Sequence, residues 1–140
     1  MKLDRLPSWC YRLSVKAIIR NTQWHILLAQ NPQGYWIFPG WGIEHGEDIR
    51  EALERELVEE IGYEAIEIAD TPLHTTTRHV KDKKKGNHWK AYLFYGVEIA
   101  SEQTNTSCEY KNTKYCDPFL DEKEGYSKSV REYLKVAGRQ

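Results

Sequence analysis

The chain has 140 residues and a formal net charge of −1, which predicts one domain over 1–140 with a hydrophobic core of its own. Its 40% hydrophobic and 29% charged residues exclude a disordered chain, and its near-neutral balance gives no global argument for nucleic acid. Cys10, Cys108 and Cys116 have no C-x-x-C spacing, so neither a disulfide scaffold nor a zinc site is expected, and a reducing cytosol is.

The opening MKLDRLPSWC is charged and has no apolar run. No signal peptide is expected there, and no apolar stretch nears the length of a membrane span. A cytoplasmic protein with no membrane partner is the expectation. The sequence carries no signal for oligomeric state.

The first strand is predicted over 11–19, where β-branched residues recur, and Asn21-Thr22-Gln23 follows as a turn. A second strand is predicted over 24–30. Asn31-Pro32-Gln33-Gly34 is turn chemistry, and a short aromatic strand over 35–38 ends at Pro39. Three glycines within 40–46 mark a loop with unusual backbone freedom. A helix follows over 48–61, with acidic residues at its start and Gly62 as its left-handed cap. Strands are predicted over 66–68, 73–80 and 89–99, the last two joined by a polar hairpin around Gly86-Asn87. Residues 101–107 are expected to form a polar, mobile loop, and 110–116 a last strand. Ser127 is placed to cap a final helix over 127–137, with Val130, Tyr133, Leu134 and Ala137 on one face and Gly138 at its end. The order implies an α/β fold, a mixed sheet covered by helices on both faces.

On the 48–61 helix, Ile49, Leu53, Leu57 and Ile61 form an apolar stripe. Glu56, Glu59 and Glu60 share an arc with Ala52 that abuts this stripe instead of opposing it. Arg50 is expected to pair with Glu54, and Arg55 with Glu51 and Glu59, which leaves Glu56 and Glu60 with no helical cation. Such a like-charge pair costs roughly 0.2–0.5 kcal/mol on a surface helix, and more if buried. A hard divalent ion with oxygen ligands would compensate it, and Mg²⁺ or Mn²⁺ suits this donor set best. Two readings stay open on spacing alone: a solvated Glu-rich helix, or one wall of a metal site.

The longer pattern is more specific. Glu47 is followed after seven residues by Arg55-Glu56-Leu57, then by Glu59-Glu60 and Gly62. This closely resembles the signature of the Nudix hydrolases, G-x5-E-x7-R-E-U-x-E-E-x-G-U, where U is bulky and aliphatic. Six specified positions match, a coincidence on the order of 10⁻⁵ over the whole chain at average residue usage. The lead-in Trp36-x-Phe38-Pro39-Gly40 and the loop Ile43-Glu44-x-Gly46-Glu47 agree as well. Two positions depart. Trp41 stands where the signature begins with glycine, flanked by Gly40 and Gly42, and Tyr63 stands at the final aliphatic position. A positive φ at Trp41 would cost roughly 1–2 kcal/mol, whereas an ordinary φ would cost nothing.

The resemblance implies a Nudix α/β/α sandwich and a metal-dependent hydrolase that cleaves a nucleoside diphosphate linked to another moiety. It implies Glu56, Glu59 and Glu60 as metal ligands, with the carbonyl of Gly40. It implies Glu56 as the general base, Arg55 as the residue that holds the glutamates, and Glu47 as its partner or a water-mediated ligand. Glu109, six residues before Tyr115, resembles an additional glutamate of the family, with Glu98 and Glu102 as alternatives. The expected substrate is a nucleoside triphosphate, cleaved to monophosphate and pyrophosphate as in the MutT-like group. Dinucleoside polyphosphates and RNA 5′ ends are alternatives, and a non-catalytic Nudix-fold binding protein is the rival of another class.

Around the signature, Arg78, His79, Lys81, Lys83, Lys84, Lys85, His88 and Lys90 form a local basic cluster. The lysine run reads as a solvated hairpin tip, and Arg78 and Lys90, inside the strands, as candidate phosphate contacts. Trp9, Tyr11 and Trp41 are candidates for stacking on a base, although packing is the commoner fate of each. His45 reads as a loop residue.

Overall fold

A computed structural model describes residues 11–84, 86–119 and 124–137. Trp9, Cys10, Lys85 and Gly138 lie outside the described residues.

In chain order the elements are β1 (Tyr11–Ile18), β2 (Ile26–Gln30), β3 (Trp36–Ile37), α1 (Ile49–Glu60), β4 (Ala65–Ile68), β5 (His74–Val80), β6 (His88–Ile99), β7 (Thr113–Cys116) and α2 (Lys128–Ala137). They build two sheets where a single mixed sheet was expected. The first is mixed: β6 pairs parallel with β1 and antiparallel with β5 and β4. The carbonyls of Gly96 and Phe94 accept from Ala69 and Leu73, so β4 and β5 follow one another along the same edge of β6. The second sheet is antiparallel, in the order β3-β2-β7.

Period-two alternation sorts the side chains into two cores. Val15, Ala17, Ile19, Leu27, Ala29, Tyr95 and Val97 pack with Ala52, Leu53, Leu57 and Ile61 around α1. Ile18, Ile26, Leu28, Tyr92 and Phe94 pack with Val130, Tyr133, Leu134 and Ala137 of α2. The result is the α/β/α sandwich that the sequence implies.

Several predicted ends differ. Trp24 lies outside β2, because its φ of +64° puts it in the left-handed region, with its N–H on the Asn21 carbonyl. The last strand begins at Thr113 and not at 110, because the N–H groups of Glu109 and Tyr110 donate to the Glu59 and Glu60 carbonyls at the end of α1. Both helices start one residue after their caps. Asp48 accepts from the Glu51 N–H at 2.7 Å, and Ser127 Oγ from the Val130 N–H at 3.3 Å. Residues 101–107, expected as a mobile loop, are seated on the end of α1. Gln103 Nε2 donates to the Ile61 carbonyl, Asn105 Nδ2 to that of Val58, and the Thr104 and Asn105 N–H groups to that of Gly62. These bonds satisfy carbonyls that a helix end leaves open. Gly62 has φ +82°, and a Cβ there would overlap the Asn105 carbonyl oxygen.

Candidate active site

The glycine loop runs along the outer edge of β1. Ala17 N–H donates to the Pro39 carbonyl at 2.8 Å, Val15 N–H to that of Trp41 at 3.0 Å, and Ile43 N–H to that of Leu13 at 3.2 Å. Gly40 lies between the first two bonds and sends its own polar groups elsewhere. Its N–H donates to Glu60 Oε1 at 3.3 Å, and its carbonyl accepts from Lys16 Nζ at 2.9 Å. Gly40 has φ +125°, and a Cβ there would collide with the Val15 carbonyl oxygen. The backbone freedom of the loop is therefore used at Gly40 and at Gly46, whose φ is +84°.

Trp41 is not strained. Among the described residues Trp24 is the one non-glycine with positive φ. Trp41 extends beside β1, adjoining the antiparallel bridge between Ser14 and Gly42. Its ring is 55% exposed, 5.5 Å from Lys16 Nζ and 6.0 Å from Lys90 Nζ.

Helix α1 presents the carboxylates. Glu56 and Glu60 are buried beside the apolar stripe, while Glu59 is exposed. Leu53, Leu57 and Ile61 are fully buried, worth on the order of 5–8 kcal/mol together. That burial fixes the helix even though two carboxylates are carried inward with it. Arg55 organises three of the acids. Its Nε and Nη2 donate to the two oxygens of Glu47 at 2.8 and 3.0 Å. Its Nη1 donates to Glu56 at 2.8 Å and to Glu59 at 3.3 Å. The expectation that Glu56 and Glu60 have no helical cation is corrected here, since the long guanidinium fork reaches the adjacent Glu56. The expected Arg50–Glu54 and Glu51–Arg55 pairs are also replaced: Arg50 turns to the Ile68 carbonyl and Asp70, and Arg55 is engaged by the other acids.

The electrostatics follow this layout. The hydrogen bond from Arg55 holds Glu47 below its ordinary carboxylate range. Burial pushes Glu60 well up, hydrogen bonding with the Glu56 carboxyl adds to the rise, and the Lys16 charge opposes it. Burial lowers Lys16, against the pull of Glu60. Burial also pushes Tyr110 up to about 12, aided by the charges of Glu60, Glu109 and Glu56. Tyr110 thus lies within the combined field of these three carboxylates.

These residues fit a hard divalent cation. With both carboxylates ionised, Glu60 Oε2 is buried without a hydrogen-bond partner among the described residues. A cation or a shared proton would satisfy it. Oxygens of Glu56, Glu60 and the Gly40 carbonyl suit Mg²⁺ or Mn²⁺. Among the described residues, no three His, Cys, Asp or Glu side chains form a ready cage; Glu59 is exposed and shares Arg55 Nη1 with Glu56.

A cavity of about 380 Å³ is lined in part by Lys16, Trp41, Lys90, Tyr92, Glu109 and Tyr110; Glu56, Glu59 and Glu60 are not in its lining, and the charges of Glu56 and Glu60 reach it through Lys16 and Tyr110. Glu109, Lys90 and Trp41 therefore share one space. Arg78 reaches instead to Glu132 of α2 at 2.8 Å and lies over the Tyr92 ring. Glu98, on β6, and Glu102 are not among the cavity's lining. Tyr11 pairs its ring with Trp89, and His45, Lys81, Lys83 and Lys84 are exposed.

Sequence reasoning missed two cations. Lys16, buried in the apolar run Val15-Lys16-Ala17-Ile18, was legible as a charge inside a core strand. Arg12 was not legible, because only the register β1-β6-β5 sets Arg12, Lys90 and Arg78 side by side.

The chain belongs to the NUDIX domain family, whose model matches residues 11–124. It is 29% identical over 89 residues to the nucleoside triphosphatase NudI of Escherichia coli O139:H28, a match covering 61% of this chain and 63% of that protein. It is 44% identical over 64 residues to the RNA pyrophosphohydrolase of Helicobacter pylori G27, covering 41% of each. The matched stretch thus spans under two thirds of either relative. The fold is similar to that of the MutT NUDIX hydrolase of Burkholderia pseudomallei, with TM-score 0.71 and 19% identity over 91% of this chain and 98% of that one.

Proposed function

We propose that this protein is a Mg²⁺- or Mn²⁺-dependent pyrophosphohydrolase that cleaves a nucleoside diphosphate linked to a second moiety, with a nucleoside triphosphate as the first substrate to test. The observation that carries the proposal is the buried Glu56–Glu60 pair against the Gly40 backbone, with Glu60 Oε2 lacking a hydrogen-bond partner among the described residues unless the two carboxyls share a proton. Clustered buried carboxylates are costly to keep, and a cation-dependent reaction gives them a use. Family membership supports the same reading.

Glu56, Glu59, Glu60 and the Gly40 carbonyl would hold the metal, with Glu109, whose backbone is bonded to the Glu59 carbonyl, as a further candidate ligand. A bound divalent ion supplies charge neutralisation of the phosphate oxygens and a lowered water pKa. Glu56 accepts the proton of the attacking water. The water oxygen bonds to phosphorus as the bridging P–O bond breaks, and pyrophosphate leaves. Arg55 keeps Glu56 aimed and Glu47 anchored. Lys90 offers a charge to phosphate, and the exposed Trp41 ring a surface for a base. Arg78, bound to Glu132, acts on substrate only through Tyr92 and Lys90.

Cleavage of RNA 5′ ends is the second reading, favoured by the cross-strand pair Arg12 and Lys90. Purified protein with Mg²⁺ or Mn²⁺, nucleoside triphosphates, dinucleoside polyphosphates and 5′-triphosphorylated RNA, followed by chromatographic identification of products, separates these readings. Monophosphate plus pyrophosphate from free nucleotides supports the first. Binding of nucleotides with no turnover of any substrate overturns both and leaves a non-catalytic binding protein. No helix among the described residues is long and apolar enough to cross a membrane, and a cytoplasmic setting remains part of the proposal.

A further inference from the structure

Lys16 is an unusual neighbour for a metal site. The residue is 8% exposed, and its ammonium donates at 2.9 Å to the Gly40 carbonyl, the backbone oxygen proposed among the metal's ligands. The charges of Glu60 and Glu56 also act on it. The same ammonium lies 5.5 Å from the Trp41 ring centroid and lines the open cavity. One lysine thus stands between two seats. The first is the oxygen donors that suit a cation, and the second is the face of an aromatic ring beside water. A carbonyl oxygen turned to an ammonium is less available to a metal, and a positive charge at the site opposes a second one. The Trp41 face offers a displaced ammonium a favourable position.

We propose that Lys16 is a positioning residue that acts as an internal cation: it holds the Gly40 carbonyl and offsets the charge of the nearby Glu56–Glu60 pair in the metal-free protein, and moves from that carbonyl toward Trp41 when the divalent ion binds. This inference rests on the reading of Gly40, Glu56 and Glu60 as metal ligands. It gives Trp41 a reason to occupy the signature's first glycine position, since a glycine would offer no ring.

The test is Mn²⁺ titration without substrate, with free ion measured by electron paramagnetic resonance, on the wild type, Lys16→Met and Lys16→Gln. Both variants remove the charge, and Gln keeps a donor for the Gly40 carbonyl. Variants that keep the wild-type circular dichroism spectrum are expected to bind Mn²⁺ about tenfold tighter, because one unit charge close to a divalent ion is worth about that much even in water. A gain below threefold, or weaker binding, overturns the inference and shows that the lysine only supports the fold. Failure of the wild type to bind Mn²⁺ overturns the metal reading itself, and the inference with it. A measurement on the unmutated chain covers the case in which both variants misfold. In lysine-¹³Cε-labelled protein, the resonance absent from Lys16→Arg is assigned to Lys16. It is expected to move on addition of Mg²⁺, and a stationary resonance overturns the inference.

Discussion

At the residue scale, the loop distinguishes two adjacent positions that the sequence makes look interchangeable. Gly40 and Trp41 both stand where the signature turns into its loop, yet the positive φ belongs to Gly40. A side chain at Gly40 would collide with the backbone oxygen of Val15, which belongs to a strand and has no easy way to yield. Gly40→Ala is therefore expected to cost about 2–3 kcal/mol in stability, and to move the carbonyl that serves Lys16. Trp41→Gly removes an exposed ring from an extended segment. It is expected to cost about 1 kcal/mol or less in stability and to keep turnover within about tenfold, or about 1.4 kcal/mol in barrier. Urea unfolding of the two variants, with phosphate-release rates for the second, checks the pair. Equal destabilisation would mean that the loop tolerates a Cβ at Gly40, contrary to the geometry. The anomaly in the signature is thus compatible with the loop because strand-like pairing with β1 places Trp41 in ordinary backbone conformation.

At the scale of elements, α1 and its loop are joined by one guanidinium. Arg55 meets Glu47 with two nearly parallel hydrogen bonds and still reaches Glu56 and Glu59. A lysine can supply the charge but not this fork. Arg55→Lys is expected to lower kcat by roughly 10–100-fold, while stability falls by only about 1 kcal/mol, since the side chain is partly exposed. A loss of stability with unchanged kcat would assign Arg55 to the fold alone. The same clamp has a pH signature. Glu47 is lowered by folding, so its contribution is present above the unfolded carboxyl pKa, about 4.3, and is lost as pH falls through the lowered folded value. Wild type and Glu47→Gln should differ in Tm near neutral pH and converge as the solution is acidified below about pH 4. Curves that stay parallel to pH 2 would contradict the clamp. Much of this element was legible in the chain, because helix period, the acidic start and the Gly62 stop are local features. The partners of Arg55 were only partly legible. The i, i+4 rule named Glu59, and the resemblance pointed to Glu47 and to the glutamates in general, but helical spacing did not foresee the reach to the adjacent Glu56.

At the scale of the whole molecule, what escaped the sequence is what depends on strand register. The parallel pairing of β1 with β6 is set by contacts more than seventy residues apart. It brings Arg12 beside Lys90, and no local pattern encodes that placement. The division of one expected sheet into two had the same origin, since alternation along a strand does not say which neighbour it meets. The cost of the assembled site is also global. Glu56 and Glu60 are buried between the α1 core and the glycine loop, so the carboxylates that serve the reaction work against the metal-free fold. Two effects of opposite sign should follow from Glu60→Gln. Without metal, the variant is expected to melt at or above the wild-type Tm, because an amide cannot ionise where burial already disfavours the carboxylate. With Mg²⁺ at about 100 times its Kd, the wild type gains about 2.7 kcal/mol by mass action, or roughly 5–10 °C in a domain of this size. EDTA removes that gain, and Glu60→Gln should lack most of it. Calorimetric scans of both proteins in EDTA and in Mg²⁺ read all four states. A variant that melts lower in EDTA and keeps the full Mg²⁺ increment would show that Glu60 stabilises the fold without holding the ion, and would move the metal to the other carboxylates.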